Sequence, residues 1–273
     1  MRKLPGMELY NLLLIAVIQG ITEFLPISSS GHLILLPQLT GLDDQGQVID
    51  VAVHVGTLGA VILYFRKDAM LALGGLGRLM KGQIDTPGAF LALCLVVATL
   101  PVVVLGLIIE LTGLDEAMRN IAVIGWTMLA FGLVLWWVDT RAPQTRKAPG
   151  WTLKHAAIMG MWQAIALIPG TSRSGITITG ARALGYARPD AARLAMLMSI
   201  PTILASGLLL GGEVILEADL AMARDGAIAA GFAFVSALIA LAVMMRLARS
   251  ISFTPYVIYR VILGITLLAI AYG

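Results

Sequence analysis

Residues 19–31 read QGITEFLPISSSG, and residues 163–175 read QAIALIPGTSRSG. They share a leading Gln and a closing Ser-x-Ser-Gly, at a constant offset of 144 residues. Each breaks a strongly apolar stretch with proline, glycine and hydroxyls. The chain has 273 residues, 59% hydrophobic and only 13% charged, where a soluble domain carries about 25% charged residues. It cannot cover itself with polar surface, so an all-α polytopic membrane protein is predicted. The net charge of +3 belongs to loops. No basic stripe with interleaved aromatics suggests nucleic acid. Cys94 is the single cysteine, which excludes an intrachain disulfide and suggests no Cys-based metal site. Arg2 and Lys3 before an apolar stretch mimic a signal peptide faintly. No small-residue cleavage site follows, so the segment is expected to stay; Met7 is an alternative start.

Six stretches are long and apolar enough to span as helices: 48–65, 88–111, 119–138, 191–212, 226–246 and 256–272. Two more are apolar but broken. Residues 7–40 hold Gly20, Glu23, Pro26 and the serine cluster; residues 154–186 hold Pro169, Gly170, Arg173 and Gly175. These suit re-entrant helical hairpins, with the irregular backbone buried in protein. The links 66–81, 139–154, 182–193 and 246–249 carry 13 of the 19 Lys and Arg residues. The links 41–47, 110–119 and 213–225 hold Asp43, Asp44, Glu110, Asp115, Glu116, Glu213, Glu217, Asp219 and Asp225. The positive-inside rule puts the first group in the cytoplasm and the second outside. Six spans alternate correctly if each hairpin returns to its own side, 7–40 from outside and 154–186 from the cytoplasm. Arg2 and Lys3 then fall outside, against the rule. Ten full crossings would leave the loops on the same sides; length favours the shallower hairpins. One hairpin and three spans in each half make an inverted-topology repeat, 7–138 and 154–273, in a single integral membrane domain 1–273.

Clustered serines and glycines at a helix break expose N–H groups and hydroxyls, the makings of an anion cradle. Isolated serines in membrane helices more often only bond back to the backbone. Arg173 stands out, because a guanidinium in an apolar stretch costs about 2.5–3.5 kcal/mol on insertion scales. It keeps its proton and needs an anion. Glu23 can neutralise it as a structural pair, a phosphate can be clamped by it, and the two readings are compatible. Glu23 follows Gln19 by one helical turn. It could bind a divalent cation, act as a base or orient His32. One carboxylate and a Gln are a poor metal cage unless substrate phosphates supply other ligands. His32, beside three hydroxyls, suits proton transfer near neutral pH. Asp50 and His54, at i and i+4 on the first full span, either neutralise each other or support the site, and support is the preferred reading. His155 is expected at the cytoplasmic interface without a role.

At these residues the chain resembles the undecaprenyl-diphosphate phosphatase family, the BacA/UppP type linked to bacitracin resistance. The resemblance covers essentially the whole chain and rests on QGITEFLPISSSGH (19–32), PGTSRSG (169–175) and ISFTPYVIYR (251–260). The family's first motif has Glu or Gln and then Glu four residues on; Gln19 and Glu23 fit it in the Gln form. The resemblance carries the nucleophile to Ser29, the histidine to His32 and the phosphate-binding arginine to Arg173. Ser28, Ser30, Ser172 and Ser174 match its other hydroxyl positions.

The resemblance implies an inner-membrane hydrolase, open toward the outer face and dependent on a divalent cation, Mg²⁺ or Ca²⁺. It releases phosphate from undecaprenyl diphosphate and so recycles the lipid carrier for peptidoglycan and other envelope polymers. Removing bacitracin's diphosphate target gives resistance. Undecaprenyl diphosphate and bilayer lipid are the expected partners, and a homodimer is compatible with this reading. Catalysis is expected from Ser29, His32, Glu23 and Arg173. Ser28, Ser30, Gly170, Thr171, Ser172 and Ser174 hold phosphate, and Gln19, Asp50, His54 and Gln163 support them. Ser29 attacks phosphorus or positions water, His32 moves the proton with Glu23 orienting it, and Glu23 shares a metal with the diphosphate. A transporter or flippase of the lipid phosphate, or of another anion, is the alternative. Ser30-Gly31-His32 and Ser172-Arg173 also echo the acid-phosphatase superfamily of lipid phosphatases, whose Lys-rich motif and later His and Asp are missing.

Overall fold

The computed structural model describes residues 9–40, 46–114, 118, 120–217 and 220–273. Arg2, Lys3, Met7, Asp43, Asp44, Asp115, Glu116 and Asp219 lie outside the described residues, as do the side chains of Glu213 and Glu217. Eleven α-helices follow one another among the described residues, with no strand between them: α1 Leu9–Phe24, α2 Ser29–Thr40, α3 Gly46–Tyr64, α4 Arg66–Leu79, α5 Pro87–Thr112, α6 Ile121–Arg141, α7 Leu153–Ala164, α8 Arg173–Ala183, α9 Arg188–Glu217, α10 Leu220–Leu247 and α11 Thr254–Tyr272. Six of them, α3, α5, α6, α9, α10 and α11, are long and apolar enough to cross a membrane. They coincide with the six predicted spans, and the protein is an all-α polytopic membrane protein. Helix α4 falls on the link 66–81, where no element was expected. It packs on α5 and leaves Met70, Leu71, Leu73 and Leu76 exposed.

Local chemistry sets the helix ends. Thr86 caps Ala89 N at 3.2 Å with Pro87 just inside α5, and Gly113 closes that helix in the left-handed conformation. Asn120 caps α6 through Val123 N, and Thr152 caps α7 through His155 N. Helix α1 stops before Leu25, because a residue ahead of proline is pushed out of the helical region. In the second broken segment Ile168, ahead of Pro169, is extended at φ −79°, ψ 119°.

The packing exchanges partners between the halves. Helix α1 lies on α10 and α7 on α5, so each half's first short helix rests on the middle span of the other half; α3 meets α9, and α6 meets α11. Small residues permit the approach. A side chain at Gly20 would collide with Ser236 and the Ala233 carbonyl of α10, and one at Gly160 with the Ala98 carbonyl of α5. Ala16, Ala98, Ala156, Ala233 and Ala237 are buried, whereas Leu100, Val104, Ile108, Val235, Ile239, Ile262 and Ile265 are exposed. Such an outward apolar band suits a hydrocarbon surround.

Basic link residues are partly spent on structure. Asp139, at the end of α6, is buried and accepts Arg182 Nε at 2.9 Å, Arg188 Nε at 2.8 Å and Phe253 N at 3.1 Å. Arg182 also donates to the carbonyls of Pro143, Ala142 and Tyr186. Arg193 grips Asp68 of α4 through two bonds, 2.9 and 2.5 Å long. One carboxylate thus ties α6, α8, α9 and the start of α11 together.

Candidate active site

The two quoted stretches fold alike. Ser28 and Ser172, 144 residues apart, are the two non-glycine residues with positive φ among the described residues, at 74° and 68°. Such a conformation costs a residue with a side chain about 1–3 kcal/mol and persists where the surroundings enforce it. Ser28 Oγ lies 3.1 Å from Ser30 Oγ, and Ser172 Oγ lies 3.1 Å from Ser174 Oγ. Each pair opens a short helix, α2 or α8. Ser172 caps α8 by accepting from Gly175 N at 3.2 Å. Gly170, at φ 85°, supplies the reversal before it, and a Cβ there would strike the Ile124 backbone of α6.

The two breaks touch. Ser174 Oγ donates to the Leu25 carbonyl at 2.8 Å, and Gly170 N donates to Ser30 Oγ at 3.4 Å. At their junction lies Glu23, almost fully buried. Its Oε1 accepts from Arg173 Nη2, and its Oε2 accepts from Ser29 Oγ at 3.0 Å and Gln19 Nε2 at 2.9 Å. One carboxylate therefore sets both the expected nucleophile and the expected phosphate clamp, which come from opposite halves of the chain. Gln19 Nε2 also lies 3.2 Å from His54 Nε2. His54 Nδ1 is 2.7 Å from the Asp50 carbonyl, which places the ring proton on Nδ1 and leaves Nε2 to accept.

His32 departs from expectation. Glu23 was expected to orient it, but Glu23 meets His54 at 3.9 Å instead. Nδ1 of His32 lies 2.7 Å from the Ser28 carbonyl, and Nε2 lies 2.5 Å from Tyr259 Oη. The imidazole and phenol stack at 5.6 Å with 3° between their planes. The carbonyl at Nδ1 fixes that proton, so Tyr259 donates to Nε2. Gln163 stays apart as well: it is buried against α5, with Nε2 3.4 Å from the Ala98 carbonyl. Thr171 is fully buried in the break, where its N–H donates to the Ile168 carbonyl.

Sequence reasoning missed Tyr259 and Arg260. Both stand in the quoted ISFTPYVIYR, and an arginine inside a 19-residue apolar helix met the criterion that singled out Arg173. Arg260 is fully buried. It donates to the carbonyls of Thr171 at 2.9 Å, Gly170 at 3.3 Å and Met128 at 3.2 Å.

Metal ligands are scarce. Among the described residues no three His, Cys, Asp or Glu side chains are grouped to hold an ion. Both Glu23 oxygens already accept from Arg173, Ser29 and Gln19. The residues present do not fit a resident cation.

Comparison with known proteins agrees along the whole chain. The chain is 71% identical over 267 residues to the undecaprenyl-diphosphatase of Dinoroseobacter shibae, covering 98% of this chain and 100% of that one. It is 67% identical over 267 residues to the undecaprenyl-diphosphatase of Ruegeria pomeroyi, with the same coverage. The undecaprenyl-diphosphatase of Maricaulis maris is 46% identical over 265 residues, covering 96% of this chain and 98% of its own. The model of the bacitracin resistance protein BacA matches residues 12–266, and the chain belongs to that family.

Proposed function

We propose that this protein hydrolyses undecaprenyl diphosphate to undecaprenyl phosphate and inorganic phosphate, which returns the lipid carrier to envelope synthesis and removes the target of bacitracin. The observation that carries the reading is Glu23, whose two oxygens hold Arg173 and Ser29 across the junction of the halves. A carrier needs the arginine but has no need of a carboxylate accepting from a serine hydroxyl. Arg173, Ser30 and the N–H groups of Arg173 and Ser174 bind the terminal phosphoryl oxygens, while the Ser172 and Ser174 hydroxyls, bonded to each other and to the Leu25 carbonyl, hold the turn that presents them. Glu23 takes the proton from Ser29 Oγ as that oxygen attacks the terminal phosphorus and undecaprenyl phosphate leaves, water then cleaving the phosphoserine to release inorganic phosphate; in the direct route Ser29 orders a water that attacks phosphorus itself. His32 relays a proton from Tyr259 Oη through Nε2 to the leaving phosphate oxygen, and the proton that Glu23 received restores Tyr259 through solvent as phosphate departs. Such transfer relies mainly on positioning and charge stabilisation.

Mg²⁺ or Ca²⁺ arrives on the diphosphate as part of the substrate, since the carboxylate is already committed to protein donors. Short helices support the re-entrant reading: α1 has 16 residues, and α2, α7 and α8 have 12, 12 and 11, against about 20 for a full crossing. Their cross-half packing supports an inverted repeat. Basic links favour the inner membrane with the first break reached from outside. The test is phosphate release from undecaprenyl diphosphate in detergent with Mg²⁺. Wild type should release phosphate, and folded Ser29→Ala and Arg173→Ala should not. A folded wild type that releases none with either cation overturns the reading.

A further inference from the structure

Helix α8 begins under an unusual load of positive charge. Arg173 is its first residue, and its N-terminal N–H groups carry the positive end of the helix dipole. Beneath that turn lies the Arg260 guanidinium, reaching from α11. Among the described residues no carboxylate pairs with Arg260, and its Nη1 is buried without a hydrogen-bond partner. That nitrogen stands beside Gly175 and Ser172: a Cβ on Gly175 would lie 2.9 Å from Nη1 and 3.1 Å from Ser172 Oγ. Its partners are all backbone carbonyls, those of Thr127 and Met128 on α6 and of Gly170 and Thr171 in the break. Two guanidiniums and a helix N-terminus converge here, and among the described residues Glu23 alone pairs with either of them. A buried cation without an anion is costly, so the arrangement is completed by a dianionic ligand.

We infer that Arg260 is a positioning residue for phosphate. It holds the Gly170 and Thr171 carbonyls toward α11, which turns the Ser172 N–H, in the same planar peptide as the Thr171 carbonyl, to the opposite side, and it adds its charge to that of Arg173 where a phosphoryl group would bind. The inference rests on the phosphate-site reading above. It explains why the break needs glycine at position 175, where any side chain would displace the guanidinium tip.

The experiment reads inorganic phosphate binding by the full-length protein in detergent, as the phosphate-dependent rise of the unfolding temperature, for wild type, Arg260→Lys and Arg260→Gln. Arg260→Lys keeps the charge and loses the fork. It should bind phosphate within about tenfold of wild type, whereas folded Arg260→Gln should be weaker by more than about tenfold, the scale of one lost charge-assisted interaction. Gln within that limit of wild type, or folded Lys beyond it, overturns the inference and leaves Arg260 a brace only. If Arg260→Gln does not fold, Arg260→Lys alone decides on the same limit. A wild type without any phosphate-induced shift overturns it too. Phosphate release assayed in parallel separates the two ideas. Wild type that binds phosphate through Arg260 but hydrolyses nothing sinks the phosphatase alone; an active wild type with an Arg260→Gln of unchanged affinity sinks Arg260 alone.

Discussion

Replacing Glu23 by Gln keeps the shape of the side chain and removes its charge. Three donors converge on the carboxylate, Arg173 on one oxygen and Ser29 and Gln19 on the other. A Gln has one acceptor oxygen and an amide group that donates. Turned one way, it sets N–H groups against Ser29 and Gln19; turned the other, against Arg173. Removing one member of a buried ion pair costs about 3–5 kcal/mol. Glu23 is 3% exposed but Arg173 is 21% exposed, so water recovers part of the loss and about 3 kcal/mol is expected. On kcat the loss of the proton acceptor for Ser29 is worth about a hundred- to ten-thousand-fold. The decisive assay is a double-mutant cycle on phosphate release, comparing Glu23→Gln, Ser29→Ala and the pair. If Glu23 acts through Ser29, the pair is no slower than Ser29→Ala alone. Losses that multiply, or a Glu23→Gln within tenfold of wild type (a gap of about 1.4 kcal/mol), would refute the assignment of Glu23 as the acceptor.

Other expectations are more compact. Tyr259→Phe keeps the stack on His32 and deletes the 2.5 Å bond; kcat should fall by about tenfold or more with KM and unfolding temperature unchanged, and a KM effect alone would assign Tyr259 to lipid binding. Asp139→Asn strands Arg182 and Arg188, so thermal unfolding in detergent should register a loss of about 3–5 kcal/mol, and an unchanged midpoint would count against the four-helix tie. Burial, with Arg146 and Lys154 beside it, holds the His155 pKa below the usual histidine value. The unfolded chain then binds the extra proton first, so stability is full above about pH 6.5 and declines as the pH falls below it. His155→Gln should flatten that slope between pH 5 and 7, values on the ordinary histidine scale of about 6.5; an unaltered slope places the titration elsewhere.

The spans were legible because lipid imposes a length and a composition that few other sequences meet. The shared offset was legible too, and it leads to the matched positive φ at Ser28 and Ser172. What stayed hidden was set by distant partners. Glu23 sits one turn after Gln19, yet whether it faces His32 or His54 depends on how α3 docks, which no local spacing encodes. Tyr259 reaches His32 across 227 positions of sequence. Helix α4 was obscured by charge: Arg66, Lys67, Asp68 and Arg78 read as a link, while the pairing of Asp68 with Arg193 appears only in three dimensions.

The exchange of packing partners between halves bears on how the chain is made. Helix α1 is synthesised first, but the small-residue face that receives it, around Ala233 on α10, follows about 200 residues later, or about 10–40 s at ordinary elongation rates. Glu23 waits about 150 residues for Arg173, and through the whole interval Gly20 has no helix to meet. Helix α1 must wait for its packing partner until the last third of the chain arrives. Slow codons or a truncation late in the message would leave a polar break stranded in the membrane, a natural substrate for quality-control proteases.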